Sequence, residues 1–135
     1  MRCCVAEVTT VKPNFSGEYN LDRSACVLSA AASSIATAVL RIDHEDPRFG
    51  CYGRFASATD AMEFTFERRT DGDEHSSCRW EHDTLVTEDQ IGAPEAPVVM
   101  TWRYELTDGG RHLRTAERIR GGGRDQDNVW EFERQ

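Results

Sequence analysis

Val98-Val99-Met100-Thr101-Trp102-Arg103-Tyr104-Glu105-Leu106 sets large apolar side chains at the even positions and mostly polar or β-branched ones at the odd positions. Successive side chains of a strand point to opposite faces, so a period of two predicts a strand with one buried and one wet face. The buried face here carries Met100, Trp102 and Tyr104. A face this aromatic needs a broad apolar partner, and the same alternation recurs along the chain.

Upstream, Phe15, Gly17, Tyr19 and Leu21 share one face of a first strand. Residues 1–13 are expected to be a flexible lead-in, and residues 14–135 to form a single domain. Residues 24–35 are rich in Ala, Ser, Leu and Ile, with Asp22 or Ser24 as cap, and predict one short helix. Ala38, Leu40, Ile42 and His44 form the inward face of a second strand, and Phe49, Cys51, Gly53 and Phe55 that of a third, joined by a turn at residues 46–48. Met62, Phe64, Phe66 and Arg68 line the fourth, and residues 70–73 (Thr-Asp-Gly-Asp) signal a hairpin into a fifth that carries Ser76, Cys78 and Trp80. A sixth strand spans residues 84–88. After the opening stretch come a turn at residues 108–110, an eighth strand over residues 111–120 with Leu113, Thr115, Glu117 and Ile119 on one side, a glycine turn at residues 121–127, and a last strand facing inward with Asn128, Trp130, Phe132 and Arg134.

Eight to ten short strands with turn signals every dozen residues predict an all-β, antiparallel, up-and-down meander. Closure removes exposed edges, so the expected fold is a closed β-barrel with one short helix after the first strand. A barrel of this size holds packed side chains or one small ligand.

The totals exclude several functions. The chain has 135 residues, a net charge of −8, 39% hydrophobic and 30% charged residues. That is globular, and the negative charge disfavours nucleic acid and anionic membrane surfaces as partners. No apolar run reaches the roughly 18 residues that span a bilayer, and the N-terminus lacks a signal peptide's apolar core, so a cytoplasmic location is expected. The five cysteines, Cys3, Cys4, Cys26, Cys51 and Cys78, show no C-x-x-C spacing. They predict neither a disulfide framework nor a zinc site, and Cys26, Cys51 and Cys78 suit small buried positions.

Phe15-Ser-Gly-Glu-Tyr-Asn-Leu21 resembles the opening strand of the calycins, the superfamily of lipocalins and fatty-acid-binding proteins. There the pattern is Phe-x-Gly-x-Trp-x-Leu, with Tyr19 standing here for the Trp. The C-terminal Trp130-Glu-Phe-Glu-Arg-Gln135 is similar to the last strand of the fatty-acid-binding proteins. The resemblance implies a barrel around a small hydrophobic ligand, with Arg134 packed over the residue-19 ring. Where those proteins clasp a carboxylate with an Arg-x-Tyr pair, this chain has Trp130 and Phe132, neither of which pairs with a carboxylate. The single expected helix, where that family has a pair, is more similar to bacterial lipocalin-like proteins.

The expected function is binding of a small hydrophobic or aromatic molecule in the lumen, by a monomer or homodimer without cofactor. The binding residues are Phe64, Phe66, Arg68, Trp80, Met100, Trp102, Tyr104, Glu117 and Trp130. Glu117 sits mid-strand; facing inward, it needs Arg68, Tyr104 or a ligand donor as partner, and desolvation would raise its pKa. It is therefore the catalytic candidate in an alternative reading, a small cyclase or isomerase. A second alternative is a solid-cored structural or interaction domain. His44 adjoins the Asp46-Pro47 turn and is placed at a wet rim. His75, His82 and His112 fall near turns, and no histidine pair has metal-ligand spacing, so no metal is expected.

Overall fold

The computed structural model describes residues 12–72 and 77–135. Most of the lead-in, with Cys3 and Cys4, and Asp73, His75 and Ser76 of the expected hairpin and fifth strand lie outside the described residues. Nine antiparallel strands form one curved sheet: β1 (Gly17–Leu21), β2 (Thr37–Glu45), β3 (Arg48–Ala56), β4 (Ala61–Arg69), β5 (Cys78–Glu81), β6 (Thr84–Ile91), β7 (Val98–Thr107), β8 (His112–Arg120) and β9 (Gln126–Arg134). Their order is β4-β3-β2-β1-β9-β8-β7-β6-β5. Every neighbour is sequential except β1 and β9, which join the two ends of the meander through Tyr19↔Arg134 and Leu21↔Phe132.

The alternation is kept wherever the core is tight. β2 alternates strictly exposed and buried, with Ala38, Leu40, Ile42 and His44 inward, and β3 buries Phe49, Cys51 and Phe55. The core continues through Leu85, Tyr104, Leu113, Trp130 and Phe132, each 3% exposed or less. Burying a large apolar side chain contributes roughly 1.5–3 kcal/mol, so these positions fix the register. Gly53 is part of that fit. A Cβ there would overlap the Phe64 ring and lie 3.0 Å from Leu40, so glycine lets the ring lie flat across β3.

Two architectural expectations are corrected. First, the barrel is nearly, not fully, closed. With nine strands and every neighbour antiparallel, the edge strands β4 and β5 run in the same direction and cannot complete an antiparallel ladder. Among the described residues no ladder joins them, so β4 and β5 do not pair as the hairpin expected from the residue 70–73 signal, whose last residue lies outside the described residues. Second, residues 24–35 form no α-helix. A single 3₁₀ turn spans Arg23–Ala25. Val27 then bridges to Val129 of β9 through paired backbone hydrogen bonds of 2.9 and 2.8 Å, and turns follow to residue 34. The bridge draws the backbone into extended geometry, and too few residues remain before β2 for a stable helix. Serines complete the switch: the Ser33 hydroxyl donates to Ala30 O at 2.8 Å and the Ser29 hydroxyl to Gln126 Oε1 at 2.9 Å.

One end of the barrel is sealed. The Phe15 amide donates to His44 Nδ1 at 3.1 Å, and Phe15 O accepts from the Tyr19 hydroxyl at 2.6 Å. Arg134 donates to that hydroxyl at 2.7 Å and lies over the Tyr19 ring at 5.3 Å, the contact that the calycin resemblance implies. The pinned Phe15 ring stacks on Trp80 at 6.0 Å and meets Phe49 edge-on at 6.3 Å. His44 is 4% exposed inside this cluster, not at a wet rim, because the entry segment folds over the β2–β3 turn and covers it.

Candidate functional site

The opposite half of the barrel is hollow. β5 pairs with residues 84–87 of β6 and no further, so beyond Glu88 the edge of β6 away from β7 has no strand beside it among the described residues. Across that seam stands the free edge of β4. Between them opens a cavity of about 350 Å³ lined by Leu40, Met62, Phe64, Thr65, Phe66, Thr87, Asp89, Met100, Trp102, Tyr104 and Glu117. A second cavity of about 310 Å³ shares Met62, Phe64, Met100, Trp102 and Glu117, adds Phe55, Ile119, Gln126 and Trp130, and is roofed by Ala31, Ala32 and Ile35. The shared walls make these two chambers of one lumen, beneath the segment that sequence periodicity reads as a helix.

Strand alternation places each wall residue. On β4, Phe64, Phe66 and Arg68 are half-buried while Glu63, Thr65, Glu67 and Arg69 are exposed. Phe64 and Phe66 stack at 6.1 Å with their planes 10° apart, and Trp102 stacks on Tyr104 at 6.4 Å. These two pairs give the lumen flat apolar walls. Tyr104 forms its floor toward the sealed end; burial pushes the phenol well above its usual pKa, so it stays protonated.

Glu117 faces inward and lines both chambers. Its Oε1 accepts from Trp130 Nε1 at 3.1 Å and Asn128 Nδ2 at 3.0 Å. The register Glu117↔Asn128 brings the second donor alongside. Asn128 is itself oriented, because its Oδ1 accepts the Ser29 amide at 2.7 Å and its amide group must then point toward Glu117. Desolvation raises the Glu117 pKa, and the two neutral donors offset that only in part. The partners expected from sequence, Arg68 and Tyr104, are not the ones found.

Arg68 lies below the cavity. Its Nη2 donates to Asp89 at 2.7 Å and its Nη1 to the Ser77 hydroxyl at 3.0 Å, and the guanidinium stands over Phe66 at 5.1 Å. The arginine thus clamps β4 to β6 across the seam where no ladder exists. Trp80 stands apart, in the sealed end, its Nε1 donating to Asp46 at 3.0 Å. Of the sequence-predicted set, the lumen brings together Phe64, Phe66, Met100, Trp102, Tyr104, Glu117 and Trp130. Asp89 and Asn128 lie outside that set, as do Leu40 and Met62, which nonetheless fall on the inward faces expected, and the 31–35 roof belongs to the segment expected as a helix. Asn128 lies on the expected inward face, but only the β8–β9 register reveals its donor role.

The buried thiols offer no nucleophile: desolvation pushes Cys51 up to about 12 and Cys78 to about 11. A hollow of about 410 Å³ on the outer face is crossed by ion pairs such as Arg79–Glu88 at 3.1 Å and presents solvated polar side chains.

No family model and no curated protein matches the sequence. Solved structures do match. The chain shares the fold of a secretory abundant heat soluble protein, number 4, from Ramazzottius varieornatus. The TM-score is 0.51 at 13% identity, over 93% of this chain and 99% of that one. A structure described as the REP1-NXSQ fatty acid transporter superposes with a TM-score of 0.46 at 10% identity, over 89% of this chain and 95% of that one. The nearly closed nine-strand barrel fits a calycin-like fold. No helix among the described residues is long and apolar enough to cross a membrane.

Proposed function

We propose that the protein binds a small hydrophobic or aromatic molecule in the two-chambered lumen. One observation carries this: a barrel whose sealed half is tightly packed holds, in its other half, a cavity of about 350 Å³ with stacked aromatic walls and an opening at the β4–β6 seam. Pockets for apolar ligands have this size and lining, with few polar groups. Trp102 and Phe64 form the principal walls, and the 31–35 segment is the roof. The cavity weighs against a solid-cored structural domain. The thiols of Cys26 and Cys51 favour a reducing compartment such as the cytoplasm.

Titration with the neutral fluorophore N-phenyl-naphthylamine tests the reading. Saturable, one-to-one binding in the micromolar range is expected, weakened at least about tenfold by Trp102→Ala, a loss of ~1.4 kcal/mol. Absence of saturable binding by the wild-type protein would remove the reading.

A second reading, a cyclase or isomerase with Glu117 as acid or base, is favoured by the inward, desolvated carboxyl. It requires that a molecule co-purified with the protein be converted to an isomer on incubation, and that Glu117→Gln retain binding but stop conversion. Recovery of the molecule unchanged from the wild-type protein would exclude it.

A further inference from the structure

The polar content of the lumen says what kind of apolar molecule fits. Two carboxylates line it, Asp89 and Glu117. Asp89 is already neutralised by Arg68 at 2.7 Å. Glu117 is not: both donors to its Oε1 are neutral, the Trp130 indole and the Asn128 amide, and no cationic side chain among the described residues shares an ion pair with it. Asn128 Nδ2 also donates to Gln126 Oε1 at 2.9 Å, so its charge-neutral amide is shared between two acceptors. The indole has only its N–H to offer, and the Asn128 amide is held by the Ser29 amide on its other atom. Oε1 is therefore occupied, and neither of these bonds uses Oε2. Trp102 and Phe64 line both chambers together with Glu117. A carboxyl group inside an aromatic enclosure is complementary to an ammonium, which gains both the charge-assisted hydrogen bond and the ring faces. It is anti-complementary to a second carboxylate, which would face like charge in a partly desolvated site.

Resting on the lumen-binding reading above, we infer that the lumen takes an apolar amine: the protonated nitrogen meets Glu117, the hydrocarbon or ring body lies between Phe64 and Trp102, and carboxylate ligands are rejected. This specificity is opposite to that of a site built around an Arg-x-Tyr clasp.

Calorimetry near neutral pH with naphthylmethylamine, naphthylmethanol and naphthoate tests it, since the three share one ring body. The expected order is amine tightest, alcohol at least about tenfold weaker, and carboxylate weaker still. The net charge of −8 attracts any cation, so the series is repeated at about 1 M salt, where screening acts within ~3 Å. A local contact keeps the preference there, whereas a diffuse field loses it. Glu117→Gln keeps the acceptor for Trp130 and Asn128, and should bring amine and alcohol within about threefold. Should that variant fail to fold, acidification of the wild-type protein serves: amine affinity falls as Glu117 takes up a proton, and alcohol affinity stays. The other ionisable groups facing the lumen are Asp89, paired with Arg68 of β4, and Tyr104 of β7; Asn128 and Trp130 of β9, Leu40 of β2, and Ala31, Ala32 and Ile35 of the roof do not titrate. Equal or tighter binding of naphthoate, or an amine preference that vanishes in salt or survives Glu117→Gln, overturns the inference and leaves lumen binding standing. Failure of all three probes to bind removes both.

Discussion

The two halves of this barrel are built from the same strands, the same alternation and much the same residues, yet one is solid and the other hollow. In the sealed half, Phe15, His44, Phe49, Trp80 and Tyr104 pack ring against ring, and all but Trp80 are 4% exposed or less. In the open half, Phe64, Phe66 and Trp102 are only partly buried around a cavity. Strand patterning does not make the difference. The entry segment inserts Phe15 as a plug at one end, and β5 seals the seam beside it. At the other end the cover is a short run of turns and β5 is absent. A side chain's face follows from parity, but whether that face is filled depends on which extra segment reaches it.

The strongest test of this contrast compares two phenylalanines. Phe15→Ala should cost about 3–5 kcal/mol in denaturant unfolding, because a fully enclosed ring leaves a void that its pinned neighbours cannot fill. Phe64→Ala should cost under about 1.5 kcal/mol, since it widens a space that is already open. Equal costs would erase the distinction between the halves.

The seam comes next. Arg68→Met leaves Asp89 without its partner and should cost about 1–2 kcal/mol. More telling is where the loss appears: amide exchange should quicken in β4 while β8 and β9 keep their protection. Uniform acceleration would mean that the ion pair does not hold the seam locally.

The smallest effect is that of pH on Glu117. Its folded pKa is raised by desolvation above 4.5, so its contribution to stability is fully present below that value and is lost as pH rises through the folded pKa. Glu117→Gln should therefore be more stable than wild type near neutral pH, and the difference should shrink on acidification below 4.5. A variant less stable than wild type at neutral pH would show the carboxylate to be favourably paired in the fold.

Alternation alone assigns the inward faces of β2, β3, β7, β8 and β9, and with them Trp102, Tyr104 and Glu117. It fails where local preference competes with a long-range bond. Residues 24–35 have helical composition, but Val27 is drawn into a bridge with a strand about a hundred positions away. The turn signal at residues 70–73 is locally sound, but nine strands cannot close antiparallel. His44 looks solvated beside its turn until Phe15 folds over it. Trp80 shares the inward parity of the lumen aromatics and ends in the sealed half, because parity carries no information about height along the barrel.

From the sequence by itself came the class of fold, the face of nearly every strand residue, and an aromatic interior holding one unexplained glutamate, because side-chain direction in a strand is a local property of the backbone. Only the tertiary structure decided where the barrel stays open, which end is plugged, and that Glu117 meets an indole and an amide instead of a cation. Those outcomes depend on strand count, register and contacts between distant segments, and none of these is encoded in any single stretch of the chain.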